Sequence, residues 1–309
     1  MNSLGRKTGR CIVAPTDFQQ PARRAFGYGI KLARLLGVRM EIVHVIKTPY
    51  DMPGSPPSSR YLDSVKTSAL LDLARLTRIA KEAGVQAEPS LQFGVPDACI
   101  LRYANHARAE VIVMGTEGRT GWDRLRIGST VEAVVRQAPC PVLAVHGGLA
   151  RDVVHHPARV KLARLLAATD FSPCADQALQ AVSALARLTQ AKVCVVHAAG
   201  KGASKKDGQR KLNVLMEELR RQGLEEVEGF WIPGEPIETI LSQAAQWESD
   251  VVSVGTQGRR GLSRLVLGSV AEGVLRRAGC PVLVVKNAHR LSVPMLDTKG
   301  DAQADDAHH

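Results

Sequence analysis

Two tandem doubly wound α/β domains, each with a five-stranded parallel sheet, are what this 309-residue sequence predicts. Three observations carry that expectation. Strand-length apolar runs alternate with longer amphipathic stretches of helical period. The alternation occurs twice in register, because Thr16-Asp17-Phe18 recurs as Thr169-Asp170-Phe171 and His44 as His197, each 153 residues on. A glycine-spaced loop also follows an apolar strand twice, 140 residues apart. Its copies are Gly115-Thr116-Glu117-Gly118, leading to Gly128-Ser129, and Gly255-Thr256-Gln257-Gly258, leading to Gly268-Ser269.

In the first half, Cys11–Pro15 reads as a strand and Gln20–Leu36 as an amphipathic helix stopped by Gly37. Val38–Ile46 alternates as a strand, and Arg60–Ala83 keeps helical spacing up to Gly84. Val85–Phe93 is a third strand, Pro96–Arg108 a helix and Val111–Met114 a fourth strand. A helix from Ser129 and a short strand, Val142–Val145, complete the unit. The pattern returns from Leu162 to Val285. Such alternation packs as a parallel sheet with right-handed crossovers.

The change of offset from 153 to 140 must fall between the second and third strands of each half. There the Pro/Ser-rich Thr48–Ser59 faces the shorter stretch Gly200–Gly208, as only a surface connection could allow. The expected domains are residues 8–147 and 160–288, joined by a linker near Gly147–Arg159, with a polar tail over 289–309 expected to be disordered.

Apolar residues at 45% and charged residues at 23% are ordinary for a soluble globular chain. The apolar runs fall short of the roughly 20 residues of a membrane span, and the N-terminus carries no secretory pattern. Six cysteines without a C-x-x-C pair argue against a zinc site, and as small buried hydrophobes they fit a reducing cytoplasm. Cys174, after Ser172-Pro173, is the cysteine expected to be partly exposed. The net charge of +11 raises nucleic acid as a partner, but aromatics at 4% offer few stacking platforms and the basic residues are scattered along helices. They read as solvated faces and an anion-friendly field.

Ligands of doubly wound sheets bind outside the carboxyl ends of strands, where the strand order reverses. The turn after each first strand and the glycine loop after each fourth are the segments expected to meet there. Glycine leaves no Cβ between backbone and ligand, so the loop can wrap N–H groups around an anion at a helix N-terminus. Asp17 and Asp170 suit a ribose hydroxyl, a base or an indirectly held Mg²⁺, or they serve as N-caps of the first helices. Ser129 and Ser269 read as N-caps whose forward N–H groups remain available to phosphate. Arg119, Arg124 and Arg126, with Arg259, Arg260 and Arg264, either contact phosphate or face solvent. His44 and His197 suit hydrogen-bonded core residues better than catalytic ones.

With these motifs the chain resembles a tandem universal stress protein of the ATP-binding type. That family's G-x2-G-x9-G-[ST] pattern is complete in both halves, and Pro15-Thr16-Asp17-Phe18, His44-Val45 and Cys140-Pro141-Val142 also match. The resemblance covers nearly the whole chain apart from linker and tail. It implies nucleotide contacts at Pro15, Asp17, Val45, Met114, Gly115, Gly118, Gly128, Ser129 and Thr130. In the second half it implies Asp170, Val254, Gly255, Gly258, Gly268, Ser269 and Val270. It also implies ATP as ligand with Mg²⁺, and fifth strands that pair across a pseudo-two-fold axis. Ala168 and Ala198 depart from the pattern where the first half has Pro15 and Val45. At roughly 25 cal/mol per Å² of apolar area, each change should cost on the order of 1 kcal/mol or less, so the second site is expected to bind several-fold more weakly.

The expected function is therefore ATP-dependent regulation in stress, through association with a protein partner or further copies of the chain. A slow ATPase of the same fold is the alternative. No Walker-type G-x-x-x-x-G-K-[ST] and no evident nucleophile–base pair supports it.

Overall fold

The computed structural model describes residues 10–47, 59–116, 127–146, 156–200, 202–256 and 267–286. In the first half β1 (Cys11–Pro15), β2 (Arg39–Ile46), β3 (Ala87–Phe93), β4 (Ala109–Gly115) and β5 (Val142–Val145) alternate with α1 (Gln20–Leu36), α2 (Ser59–Glu82), α3 (Pro96–His106) and α4 (Ser129–Gln137). The second half repeats the order with β6 (Arg164–Ala168), α5 (Pro173–Thr189), β7 (Lys192–Ala199), α6 (Lys205–Arg221) and β8 (Val227–Pro233). It closes with α7 (Pro236–Gln246), β9 (Val251–Gly255), α8 (Ser269–Arg277) and β10 (Val282–Val285).

Within each half the strands pair in parallel. The two five-stranded sets are one sheet, ordered β3-β2-β1-β4-β5-β10-β9-β6-β7-β8. The join is the antiparallel β5–β10 pair, with Leu143 opposite Leu283. In each half the order reverses between the first and fourth strands, so the ends of β1 and β4, and of β6 and β9, open the crevices.

Strands buried on both faces explain the apolar runs. Ile12 and Ala14 belong to the apolar cluster that α1, α2, α5 and α6 build on one face of the sheet, whereas Cys11 and Val13 belong to the cluster that α3, α4, α7 and α8 build on the other. Helix α1 ends as expected: Gly37 adopts φ 63° and donates its N–H back to carbonyls of the last turn. Helix α3 stops at His106, short of Arg108, which is left-handed at φ 51°. The stretch Gly200–Gly208 is less of a loop than expected. Ser204 caps α6 by accepting the Asp207 N–H, so Lys205–Gly208 is already its first turn.

Cys174 is buried, its thiol beside the Val285 carbonyl at 3.4 Å, and Cys280 is the half-buried cysteine. Cys174 lies in the first turn of α5, and that turn is pressed against the end of β9. Burial pushes the thiols of Cys11, Cys140, Cys194 and Cys280 up to about 12. No helix among the described residues is long and apolar enough to cross a membrane. The linker residues 147–155 and the tail from 287 lie outside the described residues, while Pro157–Arg159 forms a short 3-10 turn.

Candidate functional site

The turn after β1 is held by its own side chains. The Asp17 carboxylate accepts the Gln19 N–H at 3.0 Å, and Thr16 Oγ1 accepts the Phe18 N–H at 3.0 Å. This Asx turn lets Phe18 adopt φ 64°. His44, on β2, donates from Nδ1 to the Thr16 carbonyl at 2.7 Å, and its ring lies 4.4 Å from that of Phe18. The second half reproduces each contact. Asp170 accepts from Ser172 N–H, Thr169 from Phe171 N–H, and His197 Nδ1 donates to the Thr169 carbonyl at 2.8 Å. Both histidines thus clamp a turn, in keeping with a hydrogen-bonding role.

Neither aspartate caps a helix. Gln19 holds the N-cap position of α1 and Ser172 that of α5, because two more residues are needed after the Asx turn to reach helical dihedrals. The other capping expectation also fails. Gly128 and Gly268 are the N-caps of α4 and α8, with Ser129 and Ser269 one position inside. A glycine cap has no side chain to accept the first N–H groups, and neither helix has a side-chain cap. Among the described residues no side chain takes these donors, and an uncapped helix start of this kind suits an anion.

Around this turn lies a cavity of about 520 Å³. It is lined by Pro15, Asp17, Val45, Met114, Gly115, Gly128 and Thr130, and also by Lys47, Pro96 and Ile100. Seven of the residues expected from the sequence in the first half therefore share one cavity. Ser129 is exposed and not part of the lining. In the second half Asp170, Val254, Gly255, Gly268, Ser269 and Val270 occupy the corresponding ends of β6, β9 and α8. Gly118 and Gly258 lie outside the described residues, as do the six loop arginines. Lys47 escaped the sequence reading, although it directly follows the His44-Val45 strand end.

Two of the glycines answer to packing as well. A Cβ on Gly115 would sit 2.3 Å from the Pro21 carbonyl carbon and 2.5 Å from the Ala22 nitrogen, and one on Gly255 would sit 2.8 Å from the Cys174 carbonyl group. The strand end abuts the first turn of the half's first helix, and only a hydrogen fits between. The strand beside the second strand of each half also differs. Opposite Val45 the edge strand presents Gln92, and opposite Val43 it presents Ser90. In the second half Ala198 faces Ile232 and Val196 faces Phe230. The strand beside β7 is thus apolar where the strand beside β2 is polar.

A parallel 3-2-1-4-5 sheet with an uncapped helix N-terminus and an Asx turn at its switch point defines the class of doubly wound proteins with a small-molecule crevice. The profile of the Universal stress protein family matches residues 10–146 and 161–286, and the chain belongs to that family. It is 25% identical over 296 residues to Universal stress protein Rv2005c of Mycobacterium tuberculosis, covering 90% of this chain and 97% of that protein. Universal stress protein MJ0531 of Methanocaldococcus jannaschii is 30% identical over 150 residues, 47% of this chain and 88% of its own length. The crystal structure of a universal stress protein from Archaeoglobus fulgidus superposes with a TM-score of 0.72 at 24% identity. That match covers 89% of this chain and 96% of the other.

Proposed function

We propose that the protein is an ATP-binding regulator with one nucleotide site in each of two domains, residues 8–147 and 160–288, in the cytoplasm. It acts by nucleotide-dependent association with a protein partner or another copy of itself rather than by turnover. The observation that carries this reading is the glycine-capped N-terminus of α4 opening into the same cavity as Asp17. N–H groups without a side-chain cap and the helix dipole suit phosphate, and the carboxylate across the cavity suits a ribose hydroxyl. The volume lies within the roughly 300–1,000 Å³ common for small-molecule sites. Among the described residues no group of three or more His, Cys, Asp or Glu side chains is placed to hold a metal. Mg²⁺ would be bound through the phosphates and water, with Asp17 or Asp170 holding it only indirectly, through such a water.

Ser129→Asp and Ser269→Asp test the sites one at a time. A carboxylate in the first turn suits the helix dipole, so the fold is retained, but it repels phosphate. Calorimetry should show ATP affinity falling at least about tenfold at the altered site, and no measurable binding in the double variant. Undiminished binding in the double variant would remove both glycine loops from the site. Nucleotide released from purified protein should be ATP; ADP alone would favour the slow hydrolase.

A further inference from the structure

We infer that the two sites read the far edge of a nucleotide base differently: the second domain accepts a bulky apolar group there, and the first excludes it. This rests on the nucleotide reading above. If phosphate takes the N–H groups of α4, the ligand must run from the end of β4 across β1 to the end of β2, two strand spacings or about 10 Å away. That is the reach of a nucleoside, so the base falls against β2, at the cavity end lined by Val45 and Lys47.

The side chains at this end change together between the halves. Pro15, Val45 and Lys47 become Ala168, Ala198 and Gly200, each smaller, on a turn whose hydrogen bonds are the same to within 0.1 Å at the histidine. Lys47 is the one lysine or arginine among the described residues lining the first cavity, and its counterpart has no side chain. Behind Val45 the first half is polar, with Gln92 donating to Ser90 Oγ at 2.8 Å. Behind Ala198 the second half places Ile232 and Phe230, both half-buried against the apolar cluster of that face. The first domain thus closes this end with a branched side chain and a cation. The second carries only Ala198 and Gly200 there, with the aromatic Phe230 and the branched Ile232 on the neighbouring strand. An apolar group on the base would lose water against those apolar side chains, whereas in the first domain it would meet the Val45 branch and the exposed Lys47 ammonium.

The test compares ATP with N6-benzyl-ATP at each isolated site, the second alone in Ser129→Asp and the first alone in Ser269→Asp. The benzyl group should weaken binding about tenfold or more at the first site and leave it equal or tighter at the second. Adding Ala198→Val and Gly200→Lys to the Ser129→Asp protein should transfer the exclusion while ATP still binds. Equal benzyl-to-ATP ratios at the two sites would overturn the inference and leave the nucleotide reading standing. Failure of ATP itself to bind either protein would overturn the nucleotide reading, and this inference with it.

Discussion

The two halves of the molecule agree in their backbone and differ in their walls. The Asx turn, the threonine accepting two residues on, the left-handed phenylalanine and the histidine clamp are present in both. Around this shared frame Pro15, Val45, Lys47 and Thr130 give way to Ala168, Ala198, Gly200 and Val270. Hydrogen bonds of a turn depend on a few residues adjacent in sequence, and the side chains that accept them, Thr and Asp, are the same in both halves. A wall side chain is free to vary as long as its volume is compensated. The halves therefore show which residues build the framework and which set what it holds.

The glycines at the ends of β4 and β9 are alike in sequence and unlike in clearance. Gly115→Ala drives a Cβ to 2.3 Å from backbone, and Gly255→Ala to 2.8 Å. Urea denaturation should show the first costing about 3 kcal/mol and the second about 1 kcal/mol, since a backbone clash relaxes only by moving a helix. Equal costs would mean that the two helices yield equally.

A smaller effect is expected where the halves meet. Glu132 and Arg136 of α4 interlock with Glu272 and Arg276 of α8, Arg136 lying 2.7 Å from Glu132 and Arg276 lying 2.9 Å from Glu272 and 3.4 Å from Glu132. These side chains are about one-third exposed, so solvent and salt screen them. Glu132→Gln should cost only about 0.5 kcal/mol at low salt and nearly nothing at high ionic strength. A large, salt-independent loss would make this cluster, rather than the β5–β10 pair, the principal join.

The smallest effect separates two equivalent interface positions. His146 sits 2.8 Å from the Leu275 carbonyl through Nε2, and Lys286, 140 residues on, donates to the Arg136 carbonyl. Burial holds the His146 pKa below its usual 6.5, with the carbonyls of Leu275 and Cys280 opposing. The unfolded chain binds the proton more readily, so this residue contributes stability above about pH 6.5 that is lost as pH falls toward the folded pKa. His146→Gln should flatten the decline in denaturation midpoint between pH 7.5 and 5.5; an unchanged slope would place the titrating group elsewhere.

Much of this was legible in the chain itself. The helix stop at Gly37 and the duplicated Thr-Asp-Phe turn are local signals, carried by residues adjacent in sequence. The N-caps were misread because Ser and Gly are both good caps, and which one takes the position depends on where the preceding loop enters the helix. Cys174 looked exposed for a similar reason. Its Pro-containing segment reads as a turn, and only the packing of α5 against β9 and β10 buries it. Lys47 carried no motif; its place in the cavity comes from the β2–β1 register.

By itself the sequence determined the repeat, the order of strands and helices, and the two glycine loops with their Asp turns, because each is written in periodicity or short-range spacing. The tertiary structure alone decided that Gly115 and Gly255 serve close packing. It also placed Phe230 and Ile232 beside Val196 and Ala198, and decided how α4 and α8 interlock. Those outcomes depend on side chains far apart in the chain that become neighbours once strands and helices pack, and no local pattern encodes such a neighbour.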